Sequence, residues 1–170
     1  MDSPLYHLQY FTANILNWKH LLKPGKYKDV IMESLHFLVK DKRIELNAFA
    51  IMNNHIHDMQ IQQGHSRENV QRDFLKYISQ TIIRDLELKH PKVLKVFATN
   101  AKVRKYQIWQ RNPLSVDLFS KEVYIQKMEY IHNNPVKAGL CRYPELYKYL
   151  SVEFYETGED KFGILTHLVA

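Results

Sequence analysis

The residues with the clearest chemical potential are two histidines, His55 and His57, which are separated by one apolar residue. Side chains two residues apart on a β-strand point to the same face, so the two imidazoles converge while Ile56 faces the core. Such a pair can bind a divalent metal and leave coordination positions open, as a catalytic site requires. The spacing alone also fits two half-exposed strand histidines with no chemical role.

A second group of candidates lies on a predicted helix over residues 119–133. The helical period places Tyr130 and Asn134 one turn apart, on a stripe that also contains Val123 and Lys127. Beside a metal held by two histidines, a phenol and an amide oxygen would make a compact phosphodiester-cleaving centre. In the structural interpretation, Tyr130 is a half-buried core residue and Asn134 caps the helix end. The apolar stripe that would pack on the sheet consists of Tyr124, Met128 and Ile131.

Apolar periodicity predicts four strands and three helices around these candidates. The predicted strands are residues 6–12, 44–51, 55–61 and 106–110. The predicted helices are residues 29–40, 67–90 and 119–133, with Pro91 and Pro135 as stop signals. Asn53 and Asn54 favour a tight turn, because asparagine tolerates positive φ. The second and third strands therefore form a hairpin that carries the histidines next to its turn.

The order of these elements predicts an α+β fold. Strand, helix, strand, strand, helix, strand resembles the ferredoxin-like split βαβ arrangement, with an antiparallel sheet and one added helix. That added helix carries Tyr130. We expect one domain over residues 1–150 and a C-terminal extension over 151–170, in which residues 162–169 form a last strand or a loose tail.

The composition is that of one globular domain with an excess of positive charge. Hydrophobic residues make up 45% of the 170 residues and charged residues 25%, which excludes wholesale disorder. The 24 Lys and Arg against 18 Asp and Glu give a formal net charge of +6, which favours a polyanionic partner without identifying it. The single cysteine, Cys141, excludes an internal disulfide and a Cys-based zinc site. With no leader and no membrane-spanning apolar run, the expected location is the cytoplasm.

Two segments taken together resemble a known family. Residues 52–57 (Met-Asn-Asn-His-Ile-His) and 130–140 (Tyr-Ile-His-Asn-Asn-Pro-Val-Lys-Ala-Gly-Leu) resemble the two signatures of the single-tyrosine HUH transposases, specifically the REP-associated tyrosine transposases. Residues 108–111 (Ile-Trp-Gln-Arg) are similar to a Trp-Gln element of that branch. The histidine motif alone is weak, but its combination with the tyrosine motif at this distance is specific. The resemblance covers residues 6–150.

The resemblance implies a metal-dependent enzyme that cleaves and rejoins DNA. His55 and His57 would be the metal-binding pair, with Asn134 as a third, polar ligand in a shell that suits Mg²⁺ or Mn²⁺. Tyr130 would be the nucleophile, and the implied product is a 5′-phosphotyrosine link with a free 3′-hydroxyl. The implied substrate is single-stranded DNA next to a hairpin. Lys and Arg of the long helix would contact its backbone, and Trp109 or exposed tyrosines would stack on its bases.

The chain departs from the family pattern at two places. Family members often have proline where this chain has Asn53, a change that the turn is expected to tolerate. Residues 112–117 differ from the basic or histidine-bearing loop of relatives, which bears on where DNA lies. Relatives include dimers with exchanged helices as well as monomers, so both a homodimer and a monomer are consistent with the resemblance, and Tyr130 would serve its own chain or its neighbour.

Two other functions are consistent with the same residues. One is a non-catalytic hairpin-DNA-binding protein, which would keep the fold and the charge without cleaving DNA. The other is a metal-dependent hydrolase or oxygenase of small molecules that uses His55 and His57. The sequence offers no obvious third carboxylate for such an enzyme, because Asp58 faces the opposite side of the strand.

Overall fold

The computed structural model describes residues 8–168, which form an antiparallel sheet with helices on both of its faces. The strands are β1 (Leu8–Asn14), β2 (Ile44–Ile51), β3 (His55–Gln62) and β4 (Leu114–Asp117). The helices are α1 (Gly25–Lys40), α2 (Arg67–Lys89), α3 (Pro91–Lys95), α4 (Lys121–Lys137) and α5 (Val152–Thr157). Short 3-10 turns occupy Leu16–Trp18 and Pro144–Leu146.

The strand order in the sheet is β2-β3-β1-β4, and every neighbouring pair is antiparallel. This is the order of the ferredoxin-like fold, in which β1 and β3 occupy the centre. The predicted α+β fold class is therefore confirmed. The predicted hairpin between β2 and β3 forms as well, with Ile51 paired to Ile56 beside the turn.

The two faces of the sheet carry separate hydrophobic clusters. Helices α1 and α2 pack on one face, where the larger cluster contains Phe11, Phe49 and Ile56. Helix α4 packs on the other face, where its fully buried Ile131 joins a smaller cluster that includes Met59. Because Ile56 and Met59 lie on the same strand but in different clusters, β3 supplies side chains to both faces. The predicted apolar stripe of α4 is confirmed, since Tyr124 and Met128 pack against the same smaller cluster.

The fourth strand lies outside the segment that the sequence pattern predicted. Within residues 106–110, Tyr106 and Trp109 make only isolated bridges, to Ala98 and Ile15. Their neighbour Ile108 is buried in the larger cluster, so the apolar pattern reflects burial of a loop rather than a strand. The strand itself, Leu114–Asp117, pairs with β1 at the sheet edge. Pro113 does not interrupt it, because proline is tolerated immediately before an edge strand.

Helix α4 continues past the residues that were predicted to end it. Pro135 is buried inside the helix, and Asn134 is therefore not its C-terminal cap. The helix ends one turn later in a Schellman arrangement, in which Leu140 N donates to Pro135 O and Gly139 N donates to Val136 O. Gly139 has a φ of 74°, a left-handed conformation that glycine adopts more readily than other residues, so the glycine is the stop signal and the proline is not.

Other predicted boundaries hold more closely. Strand β2 matches its prediction, and β1 is observed at Leu8–Asn14, while the predicted first residues 6 and 7 lie outside the described part of the chain. Helix α1 begins at Gly25, four residues before the predicted start, and Pro91 ends α2 but also begins the short helix α3.

The segment after α5 lies against the outer edge of the sheet. Leu165 forms an isolated parallel bridge with Leu46 of β2, and Thr166 N donates to Leu46 O at 2.8 Å. This bridge is the only strand-like pairing in the described part of the predicted 162–169 element. Each helix in residues 8–168 is too short or too polar to span a lipid bilayer.

Candidate active site

The hairpin turn that precedes His55 is held by contacts from outside the hairpin. The carbonyls of Asn53 and Asn54 accept hydrogen bonds from Leu22 N (2.9 Å) and Ile15 N (2.8 Å). The buried Lys28 donates its ammonium proton to Asn53 Oδ1 at 2.8 Å. Neither asparagine has a positive φ. The turn was therefore predicted at the right place, but positive φ at the asparagines is not its cause. The hydrogen bonds from Leu22, Ile15 and Lys28 hold the turn in place.

The side chain of Asn53 makes a contact that a proline at this position would not make. Proline has no side-chain oxygen, whereas Asn53 Oδ1 accepts a proton from Lys28, which also donates to Lys23 O at 3.0 Å. Burial lowers the pKa of Lys28, while nearby Asp29 raises it. The asparagine thus connects the turn to the first turn of α1, and the two elements position His55 together.

The two histidines converge on the face of the sheet that α4 covers. Their ring centroids lie 4.5 Å apart. His57 is 4% exposed, and its Nδ1 is 2.8 Å from both Tyr10 Oη and Thr12 Oγ1. Its other nitrogen, Nε2, is buried and has no hydrogen-bond partner among residues 8–168. The predicted convergence of the imidazoles is therefore observed, and one of them has an uncommitted nitrogen.

The ring of His55 is half-buried and lies between two asparagine oxygens. Nδ1 is 2.6 Å from Asn54 Oδ1, and Nε2 is 3.2 Å from Asn134 Oδ1. The second contact joins β3 to α4. It also places the amide oxygen that was predicted as a third metal ligand directly beside the first predicted ligand.

Tyr130 lies beside the same histidine pair. Its ring centroid is 5.5 Å from that of His57 and 6.5 Å from that of Tyr10, both in edge-on contacts. The side chain of Tyr130 is 43% exposed, so a bound molecule can reach it from solvent. All four predicted site residues therefore meet within one chain: His55, His57, Tyr130 and Asn134.

Electrostatics keep the imidazoles neutral at pH 7. Burial, with smaller contributions from the charges of His55 and Lys127, lowers the pKa of His57 to about 3. Burial also lowers the pKa of His55, while the hydrogen bond to Asn134 opposes that shift. A neutral imidazole has a free lone pair, which is the form that binds metal ions.

The residues present fit a divalent cation. His57 Nε2 is a buried lone-pair donor without a partner, and His55 Nε2 and Asn134 Oδ1 are 3.2 Å apart. Two adjacent ligands of an octahedral Mg²⁺ lie about 3 Å apart, so this pair matches one cation. A second orphaned acceptor, Asn14 Oδ1, belongs to the residue that faces His55 across the β1–β3 pair. Within residues 8–168 there is no cluster of three His, Cys, Asp or Glu side chains, so the shell depends on amide oxygens.

Some residues of the site escaped the sequence analysis. Tyr10 and Thr12 orient His57, and burial raises the pKa of Tyr10 to about 12, which keeps its hydroxyl protonated. Period-2 alternation on β1 puts Tyr10 and Thr12 on one face, but only the register that pairs Thr12 with His57 shows which face it is. Trp109 was expected to stack on bases, yet it is 8% exposed and its Nε1 donates to Leu75 O. The expectation is wrong for Trp109, because its buried ring anchors the loop to α2, and stacking by exposed tyrosines stays a prediction.

Comparisons with known proteins place this arrangement in a known fold. No family model matches the chain, and no curated protein matches it. The solved structure of a REP-associated tyrosine transposase bound to a REP hairpin matches over 100% of this chain and 99% of that chain, with a TM-score of 0.67 and 17% identity. A Deinococcus radiodurans R1 structure, provisionally named a transposase, is 18% identical over 78% of this chain and 95% of that chain, with a TM-score of only 0.42. The first likeness shows that the chain has the fold of a REP-associated tyrosine transposase, as the sequence resemblance predicted.

Proposed function

We propose that this protein is a metal-dependent, single-stranded DNA transposase of the REP-associated branch that cleaves and rejoins DNA near hairpins. The observation that carries the proposal is the meeting of Tyr130, His57, His55 and Asn134 on one face of the sheet. The fold it shares with a transposase solved with a REP hairpin supports the same substrate class. Because one chain supplies all four side chains, we infer that Tyr130 acts in its own protomer.

Tyr130 is the proposed nucleophile. Its Oη bonds to the phosphorus of the scissile phosphodiester, and its proton passes to solvent. The bond between phosphorus and the 3′-oxygen breaks, and that oxygen takes up a proton from solvent to become a free 3′-hydroxyl. The 5′-phosphate stays attached to Tyr130, so the number of phosphate ester bonds is conserved. Attack by another 3′-hydroxyl reverses the step and completes strand transfer without an external energy source.

His55, His57 and Asn134 are the proposed ligands of Mg²⁺ or Mn²⁺. When bound, such a cation supplies Lewis-acid polarisation of the scissile phosphate. The chain prepares these ligands in advance, because Tyr10 and Thr12 hold the Nδ1 side of the His57 ring. With its Nδ1 side engaged by two hydroxyls, His57 presents Nε2 to the site, and preorganised ligands need less reordering on binding.

A basic loop beside the site is the proposed contact for the DNA backbone. Residues 99–112 line an open cleft of about 470 Å³ whose cationic members are Lys102, Arg104 and Arg111. Gln110 N donates to Asn14 O at 2.8 Å, and Asn14 is the residue paired with His55. The C-terminal end of the loop thus lies next to the site, and phosphate contacts made by its lysine and arginines would weaken as salt rises.

Incubation with an end-labelled single-stranded hairpin and Mn²⁺ tests the proposal. We expect a protein–DNA adduct that survives denaturation and disappears when the cation is chelated. Tyr130→Phe removes the attacking oxygen and should abolish the adduct while leaving hairpin binding nearly intact. Tyr143→Phe is the matched control, because Tyr143 is 54% exposed and lies beyond α4, directly before the Pro144–Leu146 turn. Hairpin binding by the wild-type protein without any adduct would overturn the proposal and leave a non-catalytic DNA-binding protein.

A further inference from the structure

A lysine that the proposed mechanism does not use lies on the same helical stripe as the nucleophile. Lys127 precedes Tyr130 by three residues on α4, and Asn134 follows Tyr130 by four. Residues three and four apart share one face of a helix, so all three side chains are directed to the same side. That side is the one that meets His55 through Asn134.

The Lys127 ammonium lies within the aromatic cluster of the site. Nζ is 4.7 Å from the centroid of the Tyr10 ring. The Tyr10 hydroxyl in turn contacts His57 Nδ1, and the Tyr10 ring is 6.5 Å from the ring of Tyr130. One aromatic residue therefore lies between the ammonium and the imidazole, and the same residue neighbours the nucleophile.

No carboxylate neutralises Lys127 within the described part of the chain. The seven ion pairs among residues 8–168 do not include it. Lys127 is half-buried, and the site side chains on its face of the helix and beneath it, those of Tyr10, Tyr130 and Asn134, include no carboxylate. An ammonium that no carboxylate pairs with is able to bind an anion, and the proposed substrate carries a phosphate to this position.

We propose that Lys127 binds a non-bridging oxygen of the scissile phosphate and stabilises the negative charge that develops as Tyr130 attacks. This inference rests on the proposed function and assigns a residue that neither the histidine motif nor the tyrosine motif contains. The ammonium acts electrostatically and exchanges no proton in the step. Its effect is expected mainly on the rate of cleavage, because charge on the phosphate oxygens is greatest in the transition state.

Substitution of Lys127 by methionine keeps the length of the side chain and removes the charge. We expect the single-turnover rate of adduct formation at saturating Mn²⁺ and saturating hairpin to fall by on the order of ten- to a hundred-fold. The dissociation constant for the hairpin should change by less than about three-fold, because one among several phosphate contacts contributes little to binding. Lys127→Arg retains the charge and should recover most of the rate.

The matched control is Lys121→Met, which removes the same charge from the exposed first turn of the same helix. Its adduct rate should equal that of the wild type. Equal rates for Lys127→Met and the wild type would overturn the assignment while leaving the proposed function intact. A fall in rate that Lys127→Arg does not recover, accompanied by a lowered unfolding midpoint, would show a packing role instead. Absence of any wild-type adduct would contradict the proposed function itself.

Discussion

The two faces of β3 use polar residues in opposite ways. His57 faces α4, where its Nε2 has no partner among the described residues and the exposed Tyr130 lies beside it. Asp58, the next residue, faces the cluster under α1 and α2 and is 2% exposed. Gln60 Nε2 donates to Asp58 at 2.7 Å, and Gln62 Nε2 donates to Gln60 at 3.1 Å. One face is thus open with an unsatisfied nitrogen, and the other is closed with a continuous hydrogen-bonded chain.

The face of β3 with His57 carries the candidate active site, whereas the face with Asp58 contributes to the stability of the fold. Burial raises the pKa of Asp58 to about 7, although the hydrogen bond from Gln60 opposes the shift. The carboxyl has no path to the histidine site, because it lies on the other side of the sheet. Within residues 8–168 no carboxylate groups with His55 and His57 as a third ligand. Substitutions on the two faces should consequently have different signatures.

Substitution of His57 on the open face should have the largest effect. His57→Ala removes the nitrogen with no partner, so we expect the adduct rate to fall by on the order of a thousand-fold. Calorimetric titration with Mn²⁺ should show the loss of binding even without DNA. His36→Ala, on the exposed surface of α1, is the control and should behave as the wild type in both measurements. Unchanged Mn²⁺ binding by His57→Ala would show that His57 is not a metal ligand and would contradict the proposed metal site.

Substitution of Gln60 should affect stability and leave the chemistry unchanged. Gln60→Ala leaves Asp58 Oδ1 and Gln62 Nε2 buried without these partners, so the free energy of unfolding should fall by about 2–3 kcal/mol. Urea denaturation measures the fall, with the exposed Gln126→Ala as the control. The adduct rate per folded molecule should match the wild type. A large loss of rate in folded Gln60→Ala would show that the two faces are coupled.

Removal of one hydroxyl that orients His57 should have a smaller effect. Thr12→Val leaves Tyr10 as the single partner of His57 Nδ1, so we expect Mn²⁺ affinity to fall by up to about ten-fold. Titration with Mn²⁺ measures the change, and Thr81→Val on α2 is the matched control. Full retention of affinity would mean that Tyr10 alone orients the ring.

The smallest effect is expected for Asp85, which joins α2 to α1 on the side of the sheet that Asp58 faces. Hydrogen bonds from Lys26, Tyr27 and Lys89 hold the pKa of Asp85 well below its usual range. Since the folded-state pKa is lowered, the stabilisation is full at neutral pH, begins to decline near the unfolded-state pKa of about 4 and disappears only as the pH falls through the much lower folded-state pKa. Asp85→Asn should therefore lower the unfolding midpoint slightly at pH 7, and the difference from the wild type should shrink steadily as the pH is lowered below 4. A difference that stays the same down to the most acidic pH at which the protein is folded would contradict a charge-dependent contact.

The residues of the candidate site were easier to predict from sequence than the bounds of the strands and helices around them. Period-2 spacing fixes the shared direction of His55 and His57, and helical spacing fixes the shared direction of Tyr130 and Asn134. Both are local properties of the backbone, so the sequence reveals them. Their meeting depends on how α4 packs on β3, which the family resemblance implied and local spacing alone does not determine.

The errors arose where tertiary contacts override local patterns. Residues 106–110 are apolar because Ile108 and Trp109 are buried in a loop, which an alternation pattern does not distinguish from a strand. The sequence pattern predicts a stop at Pro135, but α4 continues through that proline and ends one turn later, at the Schellman bonds around Gly139. The role of Tyr10 and Thr12 followed only from the strand register.

Identification of the residue that carries the DNA tests the central claim most directly. Wild-type protein trapped with a labelled hairpin and Mn²⁺ would be digested, and the peptide bearing the nucleotide would be sequenced by mass spectrometry. We predict a 5′-phosphotyrosyl link at Tyr130 and a free 3′-hydroxyl on the released strand. A nucleotide attached to any other residue, or cleavage without a covalent link, would contradict the account.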